Sequence, residues 1–255
     1  MNGLFDTHCH LASHLYHDES IESIIEDAKL IGVNLICNVG YDLKTSKIAV
    51  DQAVSSPSIF AAVGIHPNNS DEHNEQAYHE LEKLVQTGNV VAIGEIGLDY
   101  YRNQDTRATQ IEWFKKQINL AKKYNLPILV HTRDAWQDCY QILLEAEVKG
   151  ILHCYTGDLE NALKFIDLGF YISFAGNITF NNAIALQEVV KAIPLNRIVL
   201  ETDAPYLTPA PYRGARNYPK NIIFTAKKIA ALKQISLNNV INMTTNNAKR
   251  ILNIN

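Results

Sequence analysis

The chain has 255 residues, of which 47% are hydrophobic and 20% charged, with a formal net charge of −4. That is ordinary globular composition with enough apolar residues for a large core. It carries no basic excess, so charge alone does not point to extended binding along a nucleic-acid backbone. The first ten residues, MNGLFDTHCH, lack the basic-then-apolar pattern of a secretory signal, and no apolar run of about 18 residues predicts a membrane span. Cys9, Cys37, Cys139 and Cys154 form no CxxC pair, and reduced thiols in a cytoplasmic enzyme are expected.

In chain order, short apolar and β-branched runs occur at residues 4–7, 35–39, 60–65, 90–95, 128–132, 151–155, 171–174 and 198–202. Runs this short, apolar on both faces, predict eight buried parallel strands. Amphipathic stretches lie between most of them. Residues 20–31 place Ile21, Ile24, Ile25, Ala28 and Ile31 at helical spacing, and residues 109–124 do so with Ile111, Phe114, Ile118 and Ala121. Residues 159–168 and 183–193 follow the same pattern, and two further helices are expected at 221–232 and 237–252. Residues 208–219 hold Pro209, Pro211, Gly214 and Pro219 and predict an ordered loop after the eighth strand. The alternation predicts an α/β chain, a (β/α)₈ TIM barrel in one domain spanning 1–255, because a barrel of this kind needs roughly 250 residues. A doubly wound open sheet is the alternative.

The strongest local signal is Asp6-Thr7-His8-Cys9-His10 at the end of the first strand. Side chains two apart on a strand share a face, so His8 and His10 can converge on one ion while Cys9 points away. An HxH pair alone is weak, and two unrelated surface histidines would read the same. Four other predicted strands, however, end in ligand-type residues: Glu95 the fourth, His131 the fifth, His153 the sixth and Asp203 the eighth. In a barrel those ends face one mouth, where active sites of this fold lie. A charged group closing an apolar run carries a desolvation cost unless it is paired or metal-bound. Six ligand positions exceed what one tetrahedral ion needs and suit two divalent cations. Glu95, between the His8/His10 and His131/His153 pairs in the chain, is the natural bridge. Mixed nitrogen and oxygen ligands admit zinc, manganese, iron or nickel, and also magnesium.

These strings, taken together, closely resemble the TatD family of metal-dependent deoxyribonucleases. The resemblance rests on DTHCHL, GIHP at Gly64 to Pro67, GEIGLDYY from Gly94, PILVHTRDA from Pro127, LHCYTG from Leu152, ETDAPYL from Glu201 and the Arg213-Gly214…Asn217-Tyr218-Pro219 loop. It covers nearly the whole chain in order. It implies an amidohydrolase-like (β/α)₈ barrel, a dinuclear site and hydrolysis of DNA phosphodiester bonds, often as a 3′-to-5′ exonuclease. It implies His8, His10, Glu95 and Asp203 around one metal, and Glu95, His131 and His153 around the other. His66, Arg133, Tyr155 and Arg213 look like substrate-side residues. The chain departs from the family pattern at Ala12, where aspartate is common, and at Tyr155 and Thr156, where phenylalanine and serine are usual; none of these positions is a ligand.

The expected reaction is hydrolysis by a metal-activated water, with Asp203 orienting it and taking its proton. DNA is the expected substrate, single-stranded or as strand ends, since a chain without a basic face fits an enzyme taking a strand end into a deep site. Two other readings stand beside it. One is an ester or amide hydrolase on the same scaffold, such as an aminoacyl-tRNA deacylase, because fold does not fix substrate; Glu95 in place of a bridging lysine favours the phosphodiesterase branch. The other is a non-catalytic metal-stabilised module, against which stands a ligand set without the sulfur of closed structural sites. His14, His17, His73 and His79 sit in polar or exposed stretches and are left outside the site, and Cys154 is expected to be a small core residue.

Overall fold

The computed structural model describes residues 3–102 and 104–254; residues 1, 2, 103 and 255, which include both ends of the expected 1–255 domain, lie outside the described set. Eight strands form one sheet in sequence order: β1 (Leu4–Cys9), β2 (Val33–Val39), β3 (Ile59–Val63), β4 (Val90–Asp99), β5 (Ile128–Arg133), β6 (Gly150–Leu152), β7 (Tyr171–Phe174) and β8 (Ile198–Leu200). Every laddered neighbour is parallel. Helices α1 (Ile21–Leu30), α2 (Leu43–Ser55), α3 (Glu75–Gln86), α4 (Arg107–Tyr124), α5 (Trp136–Ala146), α6 (Leu159–Asp167) and α7 (Ile184–Ala192) connect successive strands, and α8 (Ile222–Lys233) and α9 (Leu237–Ile251) follow β8. This is a nearly closed (β/α)₈ barrel.

The seam between β8 and β1 is held by other means than a regular ladder. Thr7 Oγ1 donates to the Leu200 carbonyl at 2.9 Å, and the Asp203 N–H donates to the His8 carbonyl at 2.9 Å. The buried Asp6 carboxylate accepts the Thr202 N–H at 2.9 Å and the Thr202 hydroxyl. Burial pushes the Asp6 carboxyl up to about 8, against the pull of these donors.

Two strands carry a bulge just below the mouth. On β1, Asp6 pairs with Ile36 and Cys9 with Asn38, so β1 holds one residue more than β2 across that interval. On β4, Ile93 pairs with Ile128 and Ile96 with Val130, one residue more than β5. A bulge re-aims the side chains around it, and the residues inside these two are Thr7, His8, Gly94 and Glu95. Gly94 is required there: a Cβ on it would stand 2.5 Å from the Leu129 Cβ.

Below the mouth, Phe5, Ala62, Ala92, Leu129, Ile151 and Val199 from six strands form one buried cluster, joined by Ala248, Ile251 and Leu252 of the C-terminal segment. Each large side chain buried this way contributes roughly 1.5–3 kcal/mol, and the cluster keeps the barrel axis filled rather than open. β1 and β4 run further than expected, because β4 continues to pair through Asp99 with Arg133. β6 and β8 are shorter, because the chain turns at Cys154 and Asp203, both at positive φ. Helices α2, α3 and α5 lie outside the expected helical stretches, although α3 buries Ala77, Leu81 and Val85 at helical spacing. The start of α2 is nonetheless fixed by an Asp42–Thr45 capping box, with Thr45 N–H donating to Asp42 Oδ1 at 2.6 Å.

Candidate metal centre

The C-terminal strand ends open into a cavity of about 750 Å³ lined by His10, His66, Glu95, Asp99, His131 and Asp203, among others. Glu95 sits at its floor, only 4% exposed. Its two carboxylate oxygens face different histidine pairs. Oε2 is 3.6 Å from His8 Nε2 and 3.6 Å from His10 Nε2. Oε1 is 3.0 Å from His131 Nδ1 and 2.8 Å from His153 Nε2. The His8 and His153 rings stack with centroids 3.9 Å apart, so the two pairs abut. Asp203 closes the first group, with Oδ1 3.4 Å from His10 Nε2. All six expected ligand positions are thus brought together at one mouth.

Two observations test whether divalent cations fit. First, the His131 Nδ1, His153 Nε2 and Glu95 Oε1 atoms form a triangle with edges of 2.8, 3.0 and 3.3 Å. A tetrahedral ion with bonds of about 2.0–2.1 Å needs ligand–ligand edges of about 3.3 Å. Second, both ring nitrogens of His8 and Nδ1 of His153 are buried with no hydrogen-bond partner. Orphaned buried nitrogens carry a desolvation cost that a cation would offset. The donor set fits.

The tautomers agree. A carbonyl can only accept, so the 2.8 Å contact of His10 Nδ1 with the Val39 carbonyl places the proton on Nδ1 and leaves the Nε2 lone pair facing Glu95 and Asp203. His131 Nε2 lies 3.3 Å from Asp99 Oδ2, which leaves Nδ1 facing the second group. His153 Nδ1 lies 3.5 Å from Glu201 Oε1, an ion-pair contact rather than an aligned hydrogen bond. Outer carboxylates and carbonyls that orient ligand histidines in this way are usual around metal sites. His66 differs. Its Nδ1 accepts the Asn68 N–H at 3.0 Å, so the neutral ring carries its proton on Nε2, 3.4 Å from Glu95 Oε1. That makes His66 a donor into the site. Burial lowers its pKa to about 3 and keeps it neutral.

For Glu95, burial alone would raise the carboxyl. The surrounding histidines, His153 foremost and His131 beside it, outweigh that and hold it well below the usual range. Asp99 follows the same logic, with hydrogen bonds from His131 and Asn68 outweighing burial.

Of the expected substrate-side residues, His66 and Arg133 line the cavity, and the Arg133 guanidinium lies 3.8 Å over the Tyr101 ring. Tyr155 and Arg213 are placed elsewhere. Tyr155 is 1% exposed, its ring packs on Trp136 and Phe174, and its hydroxyl donates to the Asp158 carbonyl at 2.6 Å. The turn at Cys154 after β6 directs it between Trp136 and Phe174, so the expectation that it meets substrate is corrected. Arg213 is exposed outside the cavity wall, its guanidinium 4.2 Å over Phe180. Cys154, expected in the core, lines the cavity instead, and burial raises its thiol well above the ordinary value. The structure adds Asp99, Asn68, Tyr41 and Tyr206 to the wall. Asp99 could have been read from its place in the same string as Glu95; Asn68, Tyr41 and Tyr206 sit in loops with no ligand-type signal.

A (β/α)₈ barrel with histidines and carboxylates gathered at its C-terminal mouth defines a metal-dependent hydrolase. The sequence model of the family described as TatD related DNase matches residues 5–253, and the chain belongs to that family. It is 44% identical, over 99% of its length and 100% of the relative's, to the "Uncharacterized metal-dependent hydrolase YabD" of Bacillus subtilis. It is 36% identical to the "Uncharacterized metal-dependent hydrolase YcfH" of Escherichia coli K12, covering 98% of this chain and 96% of that one. The crystal structure of YJJV, a TatD homolog from Escherichia coli K12, superposes with a TM-score of 0.93 at 26% identity, covering 99% and 98% of the two chains.

Proposed function

We propose that this chain is a deoxyribonuclease that uses two divalent metal ions, zinc, manganese or magnesium, to hydrolyse phosphodiester bonds at the ends of single-stranded DNA in the 3′-to-5′ direction. The observation that carries the two-ion reading is the Glu95 carboxylate, one oxygen against His8 and His10 and the other against His131 and His153. His8, His10, Glu95 and Asp203 would hold one ion, and Glu95, His131 and His153 the other. Bound there, the cations supply a Lewis acid and a water acidic enough to attack at neutral pH.

The protein's own groups do the rest. Asp203 stands at the cavity wall beside His10 and is placed to orient the attacking water and take its proton. His66 lines the cavity with its protonated Nε2 3.4 Å from Glu95 Oε1 and would hold a non-reacting phosphate oxygen. Arg133 lines the cavity with its guanidinium 3.8 Å from the Tyr101 ring centroid and would grip non-reacting phosphate oxygens through its paired N–H groups. The described residues contain no helix long and apolar enough to cross a membrane, and the four cysteines are free, which supports a reducing, cytoplasmic setting.

The test is metal replacement on the chelated protein, with end-labelled single-stranded DNA, a generic phosphodiester and an aminoacyl ester assayed in parallel. The proposal expects metal-restored release of nucleotides from the 3′ end. Restored hydrolysis of the aminoacyl ester with DNA left intact would replace it with the deacylase reading.

A further inference from the structure

The other end of the barrel holds a second cavity, of about 760 Å³. Its wall includes Pro127, Lys149, Tyr171 and Arg197, which stand at the N-terminal ends of β5 to β8. It therefore opens on the face opposite the metal centre. Ligand cavities for small molecules usually measure about 300–1,000 Å³, so its size suits a nucleotide-sized compound.

Its charge is unlike that of the whole chain. The net charge of the protein is −4, yet Lys122, Lys149, Arg197 and Arg250 line this cavity against one acid, Glu147. Among the described residues, none of the four cations makes an ion pair with a carboxylate. Helix ends give two of them a local task. Lys122 donates to the Ala146 carbonyl at 3.0 Å at the end of α5, and Arg250 lies in the last turn of α9. Arg197 closes the short 3-10 turn Leu195–Arg197 before β8, and it meets Lys149 at Gly169, just past the end of α6. The Lys149 stem passes over Gly169, close enough that a Cβ there would touch Lys149 Cγ at 3.9 Å, and Arg197 Nη1 donates to the Gly169 carbonyl at 3.3 Å. Gly169 is at φ +94°, a conformation that favours glycine. The Arg197 guanidinium also lies 5.4 Å over the Tyr171 ring. A guanidinium pinned by a ring and a carbonyl keeps its remaining N–H groups pre-oriented, which suits phosphate oxygens.

We propose that this face is a binding site for a phosphorylated small molecule of nucleotide size, with Lys149, Arg197 and Arg250 contacting its phosphates and the Tyr171 side of the wall taking its less polar part. The site is separate from the metal centre and does not rest on the reading of that centre.

Binding of ADP and of inorganic pyrophosphate to the metal-loaded protein, measured by calorimetry, tests it. The comparison set is the parent, Lys149→Glu/Arg250→Glu, and the mouth variant Arg133→Gln. Both substituted cations of the double variant are exposed, and its unfolding curve checks the fold; Lys149→Gln serves if it fails. The expected result is saturable ADP binding that persists in Arg133→Gln and weakens about tenfold or more in the bottom-face variants, whose basal DNA hydrolysis is unchanged. Absent saturable binding, equal affinity in the bottom-face variants, or loss confined to Arg133→Gln would overturn it. Loss of oligonucleotide binding with ADP binding intact would overturn it too, in favour of a nucleic-acid surface.

Discussion

Glu201 Oε1 accepts the Cys154 N–H at 2.7 Å and stands 3.5 Å from His153 Nδ1, while the whole side chain is 0% exposed. One buried carboxylate thus fixes both the turn after β6 and the ring that the turn carries. Glu201→Gln keeps the size and an accepting oxygen for Cys154 but removes the charge beside the imidazole. Loss of an outer partner of a ligand histidine typically lowers metal affinity or activity about 10–100-fold. The expected outcome is a fall in metal affinity within that range with an unchanged unfolding midpoint. Unchanged affinity would restrict Glu201 to holding the Cys154 backbone.

Glu95→Gln tests the shared carboxylate. An amide offers one oxygen and no full negative charge, so it cannot serve both histidine pairs. Bound metal, measured by elemental analysis, is expected to fall below the parent's content, and hydrolysis to be lost. Full metal loading with near-normal turnover would show that the two pairs do not depend on a common ligand.

His73 gives a pH dependence away from the metal centre. Its ring stacks on Trp113 at 5.1 Å, and both ring nitrogens are buried without partners. Burial lowers its pKa to about 4, against the opposite pull of Asp71 and Glu112; Lys116 lies over the same Trp113 ring, 4.8 Å from its centroid. The folded pKa lies below the unfolded value of 6.5, so the unfolded chain takes up the proton first as pH falls. The stability associated with neutral His73 is full above pH 6.5, is lost as pH drops towards 4, and changes no further below that. His73→Phe keeps the stack and removes the titration. Its melting temperature should fall less than the parent's between neutral pH and pH 4.5; equal falls in both proteins would show that His73 is not buried as a neutral ring.

The candidate metal-ligating residues are legible in the sequence because each combines a ligand-type residue with the end of an apolar run, a pairing that desolvation makes costly without a partner. Periodicity located the strands through the same runs. It could not locate the bulges at Asp6–Cys9 and Ile93–Ile96, since an extra residue in a ladder depends on the neighbouring strand's register. Nor could it separate Tyr155 from the cavity wall. The family resemblance placed Tyr155 on the substrate side, whereas the side chain turns into the core between Trp136 and Phe174. The roles of Asp99 and Glu201 depend on which imidazole nitrogen each faces, and that is visible only when the rings are placed.

Asp203→Asn separates chemistry from folding. The side chain stands just past β8 at the mouth, beside His10, while the barrel-filling cluster lies below it. Substitutions at this end of the barrel affect catalysis more than stability, and the Asp203 backbone N–H that ties β8 to β1 is untouched by the change. The asparagine side chain keeps one oxygen able to coordinate, so part of the metal should be retained. It cannot take a proton at neutral pH, so hydrolysis should fall by the roughly 10²–10⁴-fold that a lost general base costs. Thermal unfolding, bound metal and DNA hydrolysis are to be measured on one preparation. Activity within a few-fold of the parent, with metal retained, would make Asp203 a ligand alone and assign the proton to another group. A variant that does not fold would instead place Asp203 among the residues closing the β8–β1 seam, alongside Asp6 and Thr202.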